Sequence, residues 1–250
     1  MKNYNLGLVS ISFRNHTPKE ILKEMKKSGL LSIEWGSDVH APQNDLEKVK
    51  KVASLQKEYD IVCSSYGTYF KLGETDISQL TDYINAAKVL GTNILRLWCG
   101  TKSGKNMTLS ERENLINECK KAAKIAKEND VILCMECHQN TFTENLEDTM
   151  FLLKSVNSSN FKMYWQPFQW QECNENIKIA KEISPYSEHI HVFNWDKDKR
   201  YPLIKAKDEW TKYLKEFSNN KTLLLEFMPD DNLSSLKNEA DALREIVREL

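Results

Sequence analysis

Eight times along its 250 residues the chain passes from a short β-branched or apolar run to a longer amphipathic stretch, and this alternation restricts the fold more than any single motif. The short runs centre on Val9–Ser12, Ser32–Trp35, Ile61–Ser64, Ile94–Trp98, Val131–Glu136, Met163–Gln166, Ile190–Phe193 and Leu223–Phe227. Helix punctuation lies between them. Thr17-Pro18-Lys19-Glu20 reads as a capping box with proline at the first helical position, and Gly29 ends that helix. Ser110-Glu111-Arg112-Glu113 reads as the same device. It precedes Leu115, Ile116, Cys119, Ala122, Ala123 and Ala126, whose three- and four-residue spacing marks one helical face. Gly91 suits the C-terminal cap of a helix through Leu80, Ile84, Ala87, Val89 and Leu90, and Leu236, Leu243, Ile246, Val247 and Leu250 close the chain. Strands alternating with helices imply a parallel sheet, and eight units in this length favour a closed one. The expectation is an α/β protein, a single (β/α)8 TIM barrel over residues 1–250, with no linker or shift of composition to divide it. An open doubly wound sheet would want a glycine-rich turn after its first strand, and Ser12-Phe13-Arg14-Asn15-His16 offers none.

Composition bounds the partners. A net charge of −1 gives no overall field for a polyanion, so nucleic acid is not an expected partner. No stretch approaches the ~20 apolar residues of a spanning helix, and the apolar run near the N-terminus is broken by Ser10 and Ser12, so it reads as a strand. Six cysteines scattered through apolar segments read as buried thiols in a reducing compartment, and a cytoplasmic location is expected.

In such a barrel the chemistry sits at the carboxyl ends of the strands, on the inward face. On strand five Ile132, Cys134, Glu136 and His138 share one face, while Val131, Leu133, Met135 and Cys137 form a wholly apolar face suited to the helices, so Glu136 points inward. On strand eight Leu223, Leu225 and Phe227 are expected to face outward and Glu226 inward. A buried carboxylate is costly without a cation, a donor or a role, and two in one barrel point to a site; a structural ion pair, for example with Arg96, is the alternative. Strand seven adds His189-Ile190-His191, with His191 nearer the carboxyl end and His189 read as a core or rim histidine. Strand six adds Gln166 near its end. Glu, Gln, His and Glu together suit Mn²⁺, Mg²⁺ or Zn²⁺. Cys134 and Cys137 mimic a metal-binding pair, but residues three apart on a strand face opposite ways and cannot converge on one ion.

Arg96 has two readings, a ligand for a substrate hydroxyl, carboxylate or phosphate, or one arm of an ion pair inside the barrel. Trp98, Phe168, Trp170 and Trp195 could wall a sugar's C–H face or simply pack. His138 is a further candidate for contact with substrate, and Glu34 and His40 are placed in a loop following strand two. Lys102-Ser103-Gly104-Lys105 is basic but lacks the spacing of a phosphate-binding loop. The mixed charges of Lys197-Asp198-Lys199-Arg200 could close over the site or stay solvated.

Taken in order, the segments Ile33–His40, Leu95–Lys102, Met135–Thr141, His189–His191 and Leu225–Phe227 resemble the xylose-isomerase-like TIM barrels, which include sugar phosphate isomerases and epimerases, hydroxypyruvate isomerase and inosose dehydratase. The resemblance implies a divalent metal held by Glu136, His191 and Glu226, with Gln166 standing where the family has Asp and Gln169 where it often has a histidine. An amide oxygen still binds a cation, with one negative charge fewer and a weaker grip. The function implied is isomerisation or epimerisation of a small sugar or sugar phosphate, for a single chain or an assembly of copies. Glu136 and Glu226 would exchange a proton beside the carbonyl through an enediolate. Elimination of water by an inosose-type dehydratase uses the same groups, and a metal-free sugar-binding barrel is the non-catalytic rival. A DNA-repair endonuclease on this fold needs a histidine-rich zinc cluster, and five histidines with a near-neutral charge argue against it.

Overall fold

A computed structural model describes residues 4–196 and 199–250. Its eight parallel strands are β1 (Asn5–Val9), β2 (Ser32–Gly36), β3 (Val62–Leu72), β4 (Ile94–Cys99), β5 (Ile132–Glu136), β6 (Phe161–Trp165), β7 (Ser187–Val192) and β8 (Thr222–Leu225). They close in the order β1-β8-β7-β6-β5-β4-β3-β2, with β2 pairing back to β1. The helices between them are α1 (Pro18–Ser28), α2 (Leu46–Glu58), α3 (Leu80–Leu90), α4 (Leu109–Glu128), α5 (Leu146–Val156), α6 (Cys173–Ile183), α7 (Lys207–Lys215) and α8 (Leu236–Arg248). This is the (β/α)8 barrel that the alternation predicts.

Two apolar compartments result. The larger packs the outward strand faces against the helices, through Leu133, Met135, Leu223 and Leu225 on the sheet and Ile21, Leu115, Leu214 and Leu243 on the helices. The smaller fills the barrel itself with Val9, Ile11, Cys134, Tyr164 and Leu224. Cys134 therefore lies inside and Cys137 outside, as strand alternation requires. No helix among the described residues is long and apolar enough to cross a membrane.

Three local expectations are corrected. The first strand is Asn5–Val9, and Ser10–Phe13 form a 3₁₀ turn instead of its continuation. Helix α4 is capped by Thr108, whose hydroxyl accepts from the Glu111 N–H while the Glu111 carboxylate accepts from the Thr108 N–H; Ser110 is already inside the first turn. Phe227 does not face outward with Leu223 and Leu225. Its φ of +56° is rare for a bulky side chain and breaks the alternation at the strand end, so the ring packs with the inner cluster. Of the mixed charge run, Lys197 and Asp198 lie outside the described residues, while Lys199 and Arg200 pair antiparallel with Asp196 and Trp195.

The corrected cap is testable. Thr108→Ala should cost about 1 kcal/mol, read in a thermal melt as a fall of about 2–4 °C. Ser110→Ala should leave the midpoint nearly unchanged, and the reverse order would return the cap to Ser110.

Candidate functional site

The carboxyl ends of the strands open on a cavity of about 580 Å³. Seven of the residues expected at the site line it: Arg96, Trp98, Glu136, His138, Gln166, Trp195 and Glu226. Phe168 and Trp170 join them, so all four aromatics proposed as a wall are there. His191 is fully buried behind this surface, with Nδ1 3.5 Å from Glu136 Oε1, 3.5 Å from Glu226 Oε2 and 3.3 Å from Gln166 Oε1. His189 is a core histidine, its ring nitrogens 2.9 and 3.1 Å from the carbonyl oxygens of Glu188 and Ser64.

Two of the expected contact residues do not reach the cavity. Glu34 is no loop residue; it belongs to β2, is fully buried and lies between Arg96 and His191. His40 does follow β2, but its ring is buried against Trp35 and hydrogen-bonded to Ser10 Oγ and the His16 carbonyl, so it braces the β1 and β2 ends. The pattern of β2 carried the signal for Glu34: inside a barrel strand, an acid flanked by Ile33 and Trp35 must point the other way from them.

Arg96 is one arm of an ion pair inside the barrel and also a residue of the cavity wall. Its Nε donates to Glu34 Oε1 at 2.9 Å and its Nη1 to Glu136 Oε2 at 2.5 Å. Glu136 Oε2 also accepts from Trp98 Nε1, which leaves Oε1 facing His191. Glu34 Oε2 accepts from Ser65 Oγ at 3.0 Å, and Ser65 is hydrogen-bonded to Tyr164 at 3.0 Å. Room for this pair depends on Gly67. A Cβ there would stand 2.4 Å from Glu34 Oε1 and 2.9 Å from Arg96 Nη2.

The charges follow the contacts. Burial alone would raise the Glu34 carboxyl, but Arg96 and His191 reverse it and hold it at about 2. Burial is likewise outweighed at Glu136, where Arg96 and His191 hold the carboxyl far below its ordinary range. Glu226 has no such guanidinium bond, and burial together with the neighbouring Glu136 leaves its carboxyl raised despite His191. At His191 burial opposes the charge, but Glu226 and Glu34 draw the imidazole up to about 10. The buried cluster thus attracts positive charge beyond what Arg96 supplies.

A divalent ion fits that demand. Glu136, His191 and Glu226 each offer a ligand atom within 4.8 Å of the others. Two ligands at ~2.1 Å from a tetrahedral ion stand about 3.4 Å apart, close to the 3.5 Å separations about His191 Nδ1. His191 Nε2 has no hydrogen-bond partner and faces Glu34 Oε2 at 3.6 Å, the second-sphere carboxylate that commonly orients a ligating imidazole. Gln166 is fixed beside them: its Nε2 donates to the Cys137 carbonyl at 2.8 Å, which turns Oε1, a neutral oxygen, toward His191. The Cys134 and Cys137 thiols are not among these converging atoms, and burial pushes Cys137 up to about 12 and Cys134 well above its ordinary value.

Sequence reasoning missed Arg14, Tyr69 and Phe227, all of which line the cavity. Arg14 sits just beyond the first strand, a position that the strand-end rule covers. Tyr69 lies in the carboxyl-terminal half of a strand that runs from Val62 to Leu72, well past the Ile61–Ser64 run that announces it.

Comparison with known proteins follows the same geometry. Residues 22–246 match the family model of the xylose isomerase-like TIM barrel. A 3-dehydroshikimate dehydratase of Bacillus anthracis is 22% identical over 200 residues, covering 75% of this chain and 71% of that protein. Among solved structures, a D-psicose 3-epimerase from Clostridium cellulolyticum H10 superposes with a TM-score of 0.73 at 13% identity, over 99% of both chains. An IolI protein with a bound zinc atom superposes at 0.77 and 16% identity, over 100% of this chain and 99% of that one. With the closed barrel, the carboxylate–histidine cluster at its mouth and a family match along nearly its whole length, this chain belongs to the xylose isomerase-like TIM barrel family.

Proposed function

We propose that this protein is an enzyme that removes a proton from carbon beside a carbonyl in a small sugar, sugar phosphate or related polyhydroxylated compound, with Glu226 carrying the proton. The observation that carries the reading is the contrast between two carboxylates lining one cavity. Glu136 is bound by Arg96 and Trp98 and held ionised, whereas Glu226 is buried without a guanidinium and holds its proton more readily. Pairs of acids driven apart by their surroundings are how one site runs acid and base chemistry together.

Glu136 Oε1, His191 Nδ1, Glu226 and the Gln166 amide oxygen are the residues that would hold Mn²⁺, Mg²⁺ or Zn²⁺. Such an ion supplies a Lewis acid for the carbonyl and adjacent hydroxyl oxygens. Glu34 keeps the His191 ring oriented, and Arg96 keeps Glu136 from acting as a competing proton acceptor. Trp98, Phe168, Trp170 and Trp195 offer apolar surface for the C–H faces of the substrate and exclude water from the reacting carbon.

Isomerisation or epimerisation, in which a proton leaves and returns, is the first reading. Loss of water is a second reading, favoured by the same asymmetry. Elimination needs one base and a proton for the departing hydroxyl, while inversion by two bases needs a proton carrier on each face, and Glu136 is committed to Arg96. His138, tilted against Trp98 with ring centroids 4.8 Å apart and lining the cavity, would be the donor to that hydroxyl. The likeness to a 3-dehydroshikimate dehydratase supports this second reading, as that to a D-psicose 3-epimerase supports the first.

Metal-loaded protein incubated in D₂O with ketoses, inososes and 3-dehydroshikimate should distinguish them by NMR. Deuterium entering the carbon beside the carbonyl without change of formula supports isomerisation; loss of water supports the dehydratase; neither, with any probe, counts against both. Glu226→Gln should lower whichever rate is seen by about 10²-fold or more. Titration calorimetry should find one ion per chain, with affinity weakened at least tenfold in His191→Ala. Arg96→Met should destabilise the fold by about 3–5 kcal/mol, because two buried carboxylates lose their common partner. A melting midpoint within a degree of the parent would mean that the pair contributes little.

A further inference from the structure

We propose that Arg14 receives an anionic group of the substrate, so that the natural substrate carries a carboxylate or a phosphate. This rests on the cavity being the active site and narrows the class of compound that it takes.

Arg14 and Arg96 are the two guanidinium groups among the described residues lining the cavity, and they are held differently. Arg96 is sealed between Glu34 and Glu136 and is 2% exposed. The Arg14 side chain is 40% exposed at the mouth. Three contacts fix it: Nε donates to Asp38 Oδ2 at 2.6 Å, Nη1 to the Ile11 carbonyl at 3.3 Å, and Nη2 to the Tyr69 hydroxyl. A guanidinium has five N–H donors. Two remain, one on each terminal nitrogen, and guanidinium N–H groups in excess of a fixed scaffold are the donors that bind carboxylate or phosphate oxygens. Asp38 holds the stem from behind and is not part of the cavity wall.

The position of the group suits the reaction. The 3₁₀ turn Ser10–Phe13 delivers Arg14 to the cavity, and the Phe227 N–H ties this turn to the end of β8 by donating to Ser12 Oγ at 2.8 Å. Phe227 follows Glu226, so the turn that carries Arg14 is tied to the strand end that carries the proposed proton carrier. From Arg14 the wall continues through Tyr69, edge-on to Trp98 at 5.6 Å, to the Glu136 carboxylate bonded by the Trp98 indole. A molecule with an anionic end and a short hydroxylated body spans these features.

Equilibrium binding tests this without requiring turnover. Dissociation constants are measured by tryptophan fluorescence and calorimetry for two matched pairs: D-ribulose 5-phosphate against D-ribulose, and 3-dehydroshikimate against its methyl ester. In the parent protein at least one anion should bind about tenfold or more tightly than its neutral counterpart, and which pair shows this separates phosphate from carboxylate. Arg14→Gln should abolish the preference while leaving the neutral compound within about twofold, and Arg14→Lys should restore part of it. The lysine form also serves if the glutamine form fails to fold. A preference that survives Arg14→Gln, or no preference in the parent with either pair, including no binding at all, overturns the assignment. Deuterium exchange is scored separately. Exchange without anion preference removes Arg14 alone, whereas anion preference without exchange or loss of water removes the catalytic reading and leaves the subsite.

Discussion

Inside the barrel, one guanidinium serves two carboxylates. Arg96 bridges Glu34 on β2 and Glu136 on β5, each within 2.9 Å, with all three side chains almost wholly shielded from water. A buried charge without a partner costs several kcal/mol, so this set stands or falls together. His191 on β7 faces both Glu34 and Glu136, so the cluster reaches across the barrel and depends on closure of the sheet. Gly67 on β3 leaves the space into which the guanidinium and the Glu34 carboxylate fit.

That arrangement separates the two acids at the cavity. Because Arg96 and Trp98 occupy one oxygen of Glu136, the other is left for His191, while Glu226 faces the same histidine with no guanidinium bond of its own. A residual negative field then gathers around His191 Nδ1, which is where a divalent ion would sit. Gln166 adds a neutral oxygen oriented by its own hydrogen bond to Cys137. Relative to an aspartate at that place, the amide lowers the attraction for the ion without removing the donor.

Much of this was legible in the residues. Period-two alternation put Glu136 and Cys134 on the inner face of β5 and Cys137 on the outer, because pleated backbone leaves no other choice. It failed at Phe227, where a left-handed residue reverses the face immediately after Glu226. Helix caps were read correctly at Thr17 and misplaced by two residues at Thr108. Ser110 and Glu113 offer the same hydroxyl and carboxylate spacing as Thr108 and Glu111, and only the start of backbone curvature tells the two boxes apart. On β2 the flanking Ile33 and Trp35 already turn Glu34 inward, but local sequence gives no sign of its partner, Arg96, which lies 62 residues away.

By itself the sequence determined the eightfold alternation, the inward acids on strands five and eight, the histidine on strand seven and the glutamine on strand six. Each of these follows from local periodicity and from the cost of burying charge against apolar neighbours. Only the tertiary structure decided which charges neutralise one another: that Arg96 belongs to Glu34 and Glu136 and leaves Glu226 without a guanidinium, that His40 braces the strand ends, and that Arg14 and Tyr69 reach the cavity. Electrostatic pairing depends on distances through space across a closed ring of strands, and side chains far apart in the chain acquire those distances only when the ring closes.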